Sequence, residues 1–380
     1  MREDKGREVR VERNSHAEEK LPKEVLRPGA RCICRALLLL RKQKLGSSDH
    51  HHHPPSATYL ATLIKPPTLS MDPSSEVILD IWLFRIYKDL HVDRLEGTET
   101  VPAGTDAATG VVSKDVVIDG DSGVYVRLYL PDMAVTRAAN GDGPKLRVLV
   151  FFHGGGFVTA SATLPMYHSY LNSLAAAARL LVVSHPFPIG YEDSFRALKW
   201  ALSGDDPWLS QHGDLGRVFL AGDSAGGNIV HNVAMMAAAE GSDVAERIEG
   251  AVLFHPSFAG KEPMAGESPE TAEMMDTLWG IICPEATDGV DDPRMNPLAA
   301  AAPSLRDLPF ERLLVVEADE DFFRARGRAY YEGVVASGWG GTVEWFESVG
   351  NKKHVFFLLE PGCPEAKALM DRLVAFFAGN

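Results

Sequence analysis

The residue with the clearest chemical promise is Ser224, set in Gly222-Asp223-Ser224-Ala225-Gly226-Gly227-Asn228. A strand-like run, Arg217-Val218-Phe219-Leu220-Ala221, precedes it, and a helix-like run, Ile229-Val230-His231-Asn232-Val233-Ala234, follows. The pattern of Gly222, Ser224 and Gly226, with Asp223 between, is that of a nucleophile elbow, a tight strand-to-helix turn that lifts one serine oxygen above a sheet. Glycines are needed because the flanking backbones approach closely and the turn is strained. Five residues of this kind also recur in ordinary Gly-rich turns, so the strand before and the helix after carry the argument. The chemistry expected is attack by the serine oxygen on an acyl carbon. A hydroxyl is a weak nucleophile and needs a base, a group that orients the base, and donors for the oxyanion.

The donors have a source upstream. Leu146–Phe152 reads as a buried strand that runs into His153-Gly154-Gly155-Gly156-Phe157, and consecutive glycines leave their amides clear of side chains. This is the form of the oxyanion loop in lipases and esterases. The base follows from chain order, since α/β-hydrolases run serine, acid, histidine. Of the thirteen histidines, only His231, His255 and His354 follow Ser224. The helix carries His231 away from the turn, and His255 comes too early for the acid to precede it. His354 lies in a loop after the strand-like residues 342–346, a place that suits a general base. The acid is expected just after the strand-like residues 312–318, where Asp319, Glu320 and Asp321 stand together. Spacing alone does not choose between Asp319 and Asp321, and one member of this cluster is expected to be merely solvated.

From about Met71 to the C-terminus the sequence resembles the plant carboxylesterases of the hormone-sensitive-lipase-like branch, the branch that includes the gibberellin receptors. The likeness rests on Tyr87-Lys88-Asp89, Val126-Arg127-Leu128-Tyr129-Leu130-Pro131, the His153–Phe157 run, the elbow and His255-Pro256. It continues through Asp292-Pro293-Arg294-Met295-Asn296-Pro297, Arg326-Gly327, Tyr330-Tyr331 and His354-Val355-Phe356. The resemblance implies that Asp321 is the catalytic acid, that the amides of Gly155, Gly156 and Ala225 form the oxyanion hole, and that His153 orients the loop. It implies a serine carboxylesterase acting on small-molecule esters, with no metal and no organic cofactor. It also carries alternatives: a gibberellin-type hormone-binding module, or a transesterase or dehydratase using the same triad. The receptors lack the catalytic histidine, and His354 weighs against that alternative. Two departures stand out. Ala325 replaces an acid, and Ser184 is followed directly by His185-Pro186-Phe187-Pro188, without the Val-Asp-Tyr-Arg-Leu-Ala-Pro-Glu type segment of the family.

Composition fits one enzyme domain: 45% hydrophobic and 24% charged residues in a chain of 380 are ordinary globular values. The net charge of −14 is uneven. Residues 1–70 hold 14 Lys and Arg against 8 Asp and Glu, so the strongly acidic part is residues 71–380. An acidic body argues against nucleic-acid partners and anionic membranes. Of four cysteines, Cys32 and Cys34 lie close together near the N-terminus while Cys283 and Cys363 stand alone, which suggests no disulfide framework and a reducing, cytoplasmic setting. Residues 1–70 lack periodicity and contain a four-His tract, and are expected to be a disordered tail or an over-extended gene model. Their apolar stretch is too short for a signal segment or a membrane span.

These groups need a scaffold. Alternating strand-like and helix-like segments predict an α/β-hydrolase fold with a mainly parallel central sheet and helices on both faces. A hairpin is expected over residues 115–131, a helix over 166–178, a strand over 180–184 and a helix over 192–202. Residues 75–89 are expected to form a first helix. With the excursion 257–302 and its helix over 271–282, the segment 71–110 is the expected helical lid over the carboxyl ends of the strands. The oligomeric state is not legible.

Overall fold

The computed structural model describes residues 76–120, 124–132, 145–185, 190–241 and 243–379. The expectations for residues 1–70 lie outside the described residues, as does the stretch 186–189 that follows His185.

Alternation within the strands builds the sheet. In β6 (Leu146–Phe152), Val148, Val150 and Phe152 belong to one hydrophobic cluster, while Leu149 and Phe151 belong to another. Successive side chains of a strand point to opposite faces, so a run apolar at every position must lie inside a sheet covered on both sides. The neighbouring β8 (Gly213–Asp223) divides the same way, with Val218 and Leu220 on one side and Phe219 and Ala221 on the other. β7 (Leu181–His185), on the far side of β6, is buried from Leu181 to Ser184.

The sheet has eight strands in the order β11-β10-β9-β8-β6-β7-β5-β4. Here β4 is Val112–Asp119, β5 Val124–Leu130, β9 Ile248–Phe254, β10 Arg312–Ala318 and β11 Thr342–Ser348. From β7 to β11 the pairs are parallel, while β5 joins β7 and β4 antiparallel. The expected hairpin is the β4–β5 pair. Helices α2 (Tyr191–Ser203) and α4 (Ala225–Glu240) bury Leu198, Ile229, Val230 and Val233 in one cluster. On the opposite face, α1 (Pro165–Ala178) and α9 (Pro364–Ala378) bury Leu171, Leu174, Leu369 and Phe376. The remaining helices are α3 (Pro207–His212), α5 (Asp243–Glu246), α6 (Pro269–Ile282), α7 (Arg324–Ala336) and α8 (Phe356–Leu359). This is the expected α/β-hydrolase architecture.

One expected helix is absent. Residues 76–94 form three short strands, β1 (Val77–Asp80), β2 (Phe84–Tyr87) and β3 (Val92–Arg94), paired antiparallel in a sheet of their own. The apolar residues of this segment fit both periodicities, and the period of two prevails. Phe84 and Ile86 are buried while Arg85 and Tyr87 are only partly so. A turn closed by the Ile81 N–H on the Phe84 carbonyl at 3.1 Å lies where a helix would have continued. Among the described residues, no helix is long and apolar enough to cross a membrane.

Candidate active site

The turn between β8 and α4 holds Ser224 at φ 54°, ψ −120°, a conformation that costs a non-glycine residue on the order of 1–3 kcal/mol. Close approach keeps it there. A Cβ on Gly226 would lie 1.9 Å from the Phe152 carbonyl oxygen, and one on Gly222 would lie 2.4 Å from that of Gly226. The Ser224 N–H donates to the Phe254 carbonyl at 2.9 Å, which ties the turn to β9.

The glycine loop is fastened to the same turn. The Gly154 N–H donates to Asp223 Oδ1 at 3.0 Å and to the Tyr167 hydroxyl at 2.9 Å, and that hydroxyl donates to Asp223 Oδ2 at 2.8 Å. Asp223 is fully buried, and among the described residues no cationic side chain is bonded to it. Burial therefore outweighs its hydrogen bonds and the charge of nearby His354, and its carboxyl is pushed up to about 6. His153 donates from Nδ1 to the Gly154 carbonyl at 2.8 Å, and burial lowers its basicity to about 4. Gly155 sits at φ 101°, where a Cβ would fall 2.2 Å from the Thr159 carbonyl oxygen. Its own carbonyl accepts the amides of Val158 and Thr159. Among the described residues, the amides of Gly155 and Gly156 donate to no backbone carbonyl. Phe84 from β2 and Leu278 from α6 both pack where a Gly156 side chain would stand. The small sheet and the 257–302 excursion therefore meet over this loop.

The acid and the histidine follow β10 and β11 respectively. Asp321 is buried, and its Oδ2 accepts His354 Nδ1 at 2.8 Å while its Oδ1 accepts the Phe323 N–H at 2.7 Å. Burial opposes its ionisation, but the imidazoles of His354 and His255 that face it prevail and hold it well below the usual carboxylate range. The His354 ring packs against Phe322 and Phe323, with centroids 4.6 and 5.3 Å away. His231 lies elsewhere, with Nδ1 3.1 Å from the Tyr330 hydroxyl, and burial lowers its basicity to about 4.

Two residues behave otherwise than their sequence context suggests. Asp319 is not merely solvated. Its carboxylate accepts the amides of Gly350 at 2.8 Å, Asn351 at 3.0 Å and Lys352 at 2.7 Å, pinning the loop that leads to His354. His255, set aside as a base, meets Asp321 Oδ2 with its Nδ1. An acidic residue just after one strand and a loop rich in free amides after the next is the only sequence signal for the first contact. The second joins residues 66 positions apart and leaves none.

His255, Asp321 and His354 are also the group among the described residues close enough together to hold a metal ion. Both ring nitrogens, however, are in direct hydrogen-bond contact with one carboxylate oxygen. That arrangement handles a proton rather than opening a shared coordination centre.

The geometry has close counterparts. Residues 149–358 match the family model described as alpha/beta hydrolase fold. The chain belongs to this family. It is 42% identical over 333 residues to tuliposide A-converting enzyme 2, chloroplastic, of Tulipa gesneriana, covering 83% of each chain. It is 39% identical over 305 residues to probable carboxylesterase 2 of Arabidopsis thaliana, covering 78% of this chain and 94% of that one. Among solved structures, the carboxylesterase EstE1 from a metagenomic library superposes with a TM-score of 0.55 at 25% identity, covering 70% of this chain and 87% of that one. The relatives thus include plant carboxylesterases, as the motifs implied. They count against the cytoplasmic expectation, since the tulip enzymes are named as chloroplastic or amyloplastic.

Proposed function

We propose that this α/β-hydrolase is a serine carboxylesterase in which Ser224, His354 and Asp321 act as a triad. The chain is a carboxylic ester hydrolase by kinship with carboxylesterases over most of its length. The observation that carries the residue assignment is the hydrogen bond from His354 Nδ1 to the buried Asp321. With Nδ1 committed as a donor, the ring's other nitrogen is left unprotonated to act as the base.

In this reading Ser224 Oγ attacks the acyl carbon as His354 Nε2 takes its proton, and Asp321 stabilises the imidazolium. The amides of Gly155, Gly156 and Ala225 receive the oxyanion. Return of the proton expels the alcohol and leaves an acyl-enzyme, which water resolves through the same steps in reverse order. The strained turn at Ser224 and the Asp223–Tyr167–Gly154 bonds support this reading, because they hold nucleophile and loop in one frame. The small sheet β1–β3 and the 257–302 excursion serve as the lid over the acyl site. A hydroxyl of the substrate can resolve the acyl-enzyme in place of water, which is the transesterase alternative. A panel of p-nitrophenyl esters of graded acyl length, with products identified by mass, tests the whole reading. Ester turnover that disappears in Ser224→Ala is expected. Gibberellin binding without ester turnover would support the receptor reading instead.

A further inference from the structure

β9 ends at Phe254, and His255 follows at φ 47°, its N–H donating to the Val316 carbonyl of β10 at 2.8 Å. The ring is fully buried beside Phe356 and Phe357, with centroids 6.0 and 5.8 Å away, and 5.7 Å from the ring of His354. Its Nδ1 meets the Asp321 oxygen that also accepts His354 Nδ1. An ionised carboxylate only accepts, so the proton of this contact belongs to His255 Nδ1. The Val355 amide, 3.3 Å from the same nitrogen, is then a secondary neighbour rather than a donor to it. Burial lowers the basicity of His255, against the pull of Asp321, and among the described residues its buried Nε2 has no hydrogen-bond partner. The ring is therefore neutral and fixed in one tautomer.

We propose that His255 is a positioning residue of the esterase reaction, a second imidazole that clamps Asp321 Oδ2 so that the carboxylate faces His354 in one orientation. The proposal rests on the triad reading given above. A carboxylate at the end of a short side chain turns readily about its terminal torsion. Here the Phe323 amide holds Oδ1 and His255 holds Oδ2, so both oxygens are fixed before His354 is counted.

The test uses the full chain with p-nitrophenyl butyrate. His255→Phe keeps a ring and loses the donor, whereas His255→Asn keeps a donor, Nδ2, near the place of Nδ1. The expected result for His255→Phe is a kcat lower by about 10–100-fold with KM within about twofold. His255→Asn should restore most of the lost kcat. Titration with a fluorophosphonate counts competent Ser224 and corrects kcat for misfolded chains. If His255→Phe does not fold, His255→Gln against His255→Asn carries the same reading. An unchanged kcat in His255→Phe, or His255→Phe and His255→Asn impaired alike, would overturn the proposal. Loss of the triad reading would look different: Ser224→Ala would keep the activity.

Discussion

The Tyr167 hydroxyl donates to Asp223 Oδ2 at 2.8 Å, joining the helix after the glycine loop to the residue before Ser224. Asp223 is thus both a fastener and an unneutralised buried charge. Its folded pKa of about 6 lies above the ordinary 3.8, so between these values the folded chain binds more protons than the unfolded one. Stability from this group falls as pH rises through that window, by about 3 kcal/mol once Asp223 is ionised. Asp223→Asn keeps an acceptor for Gly154 and should raise the melting temperature at neutral pH while leaving it nearly unchanged near about pH 4. Melting curves across this range check the prediction.

The two acids after β10 should separate cleanly. Asp321→Asn is expected to lower kcat by about 10⁴-fold, because the amide favours the wrong tautomer of His354. Asp319→Asn leaves one oxygen where a carboxylate served three amides. Its kcat should fall by about tenfold, corresponding to about 1.4 kcal/mol of lost loop positioning. Steady-state kinetics on the two variants decide this, and equal losses would contradict the assignment of roles.

Glu317 is a buried acid of a different kind. Both of its carboxyl oxygens lack a hydrogen-bond partner among the described residues, and Gly327 leaves the space that the carboxyl fills. Burial, with Asp321 nearby, pushes its pKa well above the usual 4.5. Glu317 is therefore protonated when folded and ionised when unfolded, and its contribution to stability declines as pH rises above about 4.5. Glu317→Gln should flatten the fall in melting temperature on the alkaline side, as thermal melts at a series of pH values would show.

Much of this site was legible because the chemistry restricts residue type. Only glycine fits at 222 and 226 against the backbone of the neighbouring segments, and the chain order of serine, acid and histidine left few candidates. The helix expected over residues 75–89 was a misreading because mixed β-branched and aromatic residues satisfy both periods, and pairing between three short strands decided the outcome. The role of Asp319 was not legible because its partners are backbone amides, which carry no signature in side-chain type. The contact of His255 with Asp321 depends on β9 and β10 being neighbours in the sheet, a fact of topology rather than of local sequence.

The central claim is that Ser224 is the nucleophile, and covalent capture tests it most directly. A fluorophosphonate probe followed by peptide mass mapping should place the label on Ser224 in the wild type. Ser224→Ala should take up no label and lose ester hydrolysis by about 10⁴-fold or more. Stoichiometric labelling of another residue, or hydrolysis that survives in Ser224→Ala, would contradict the account.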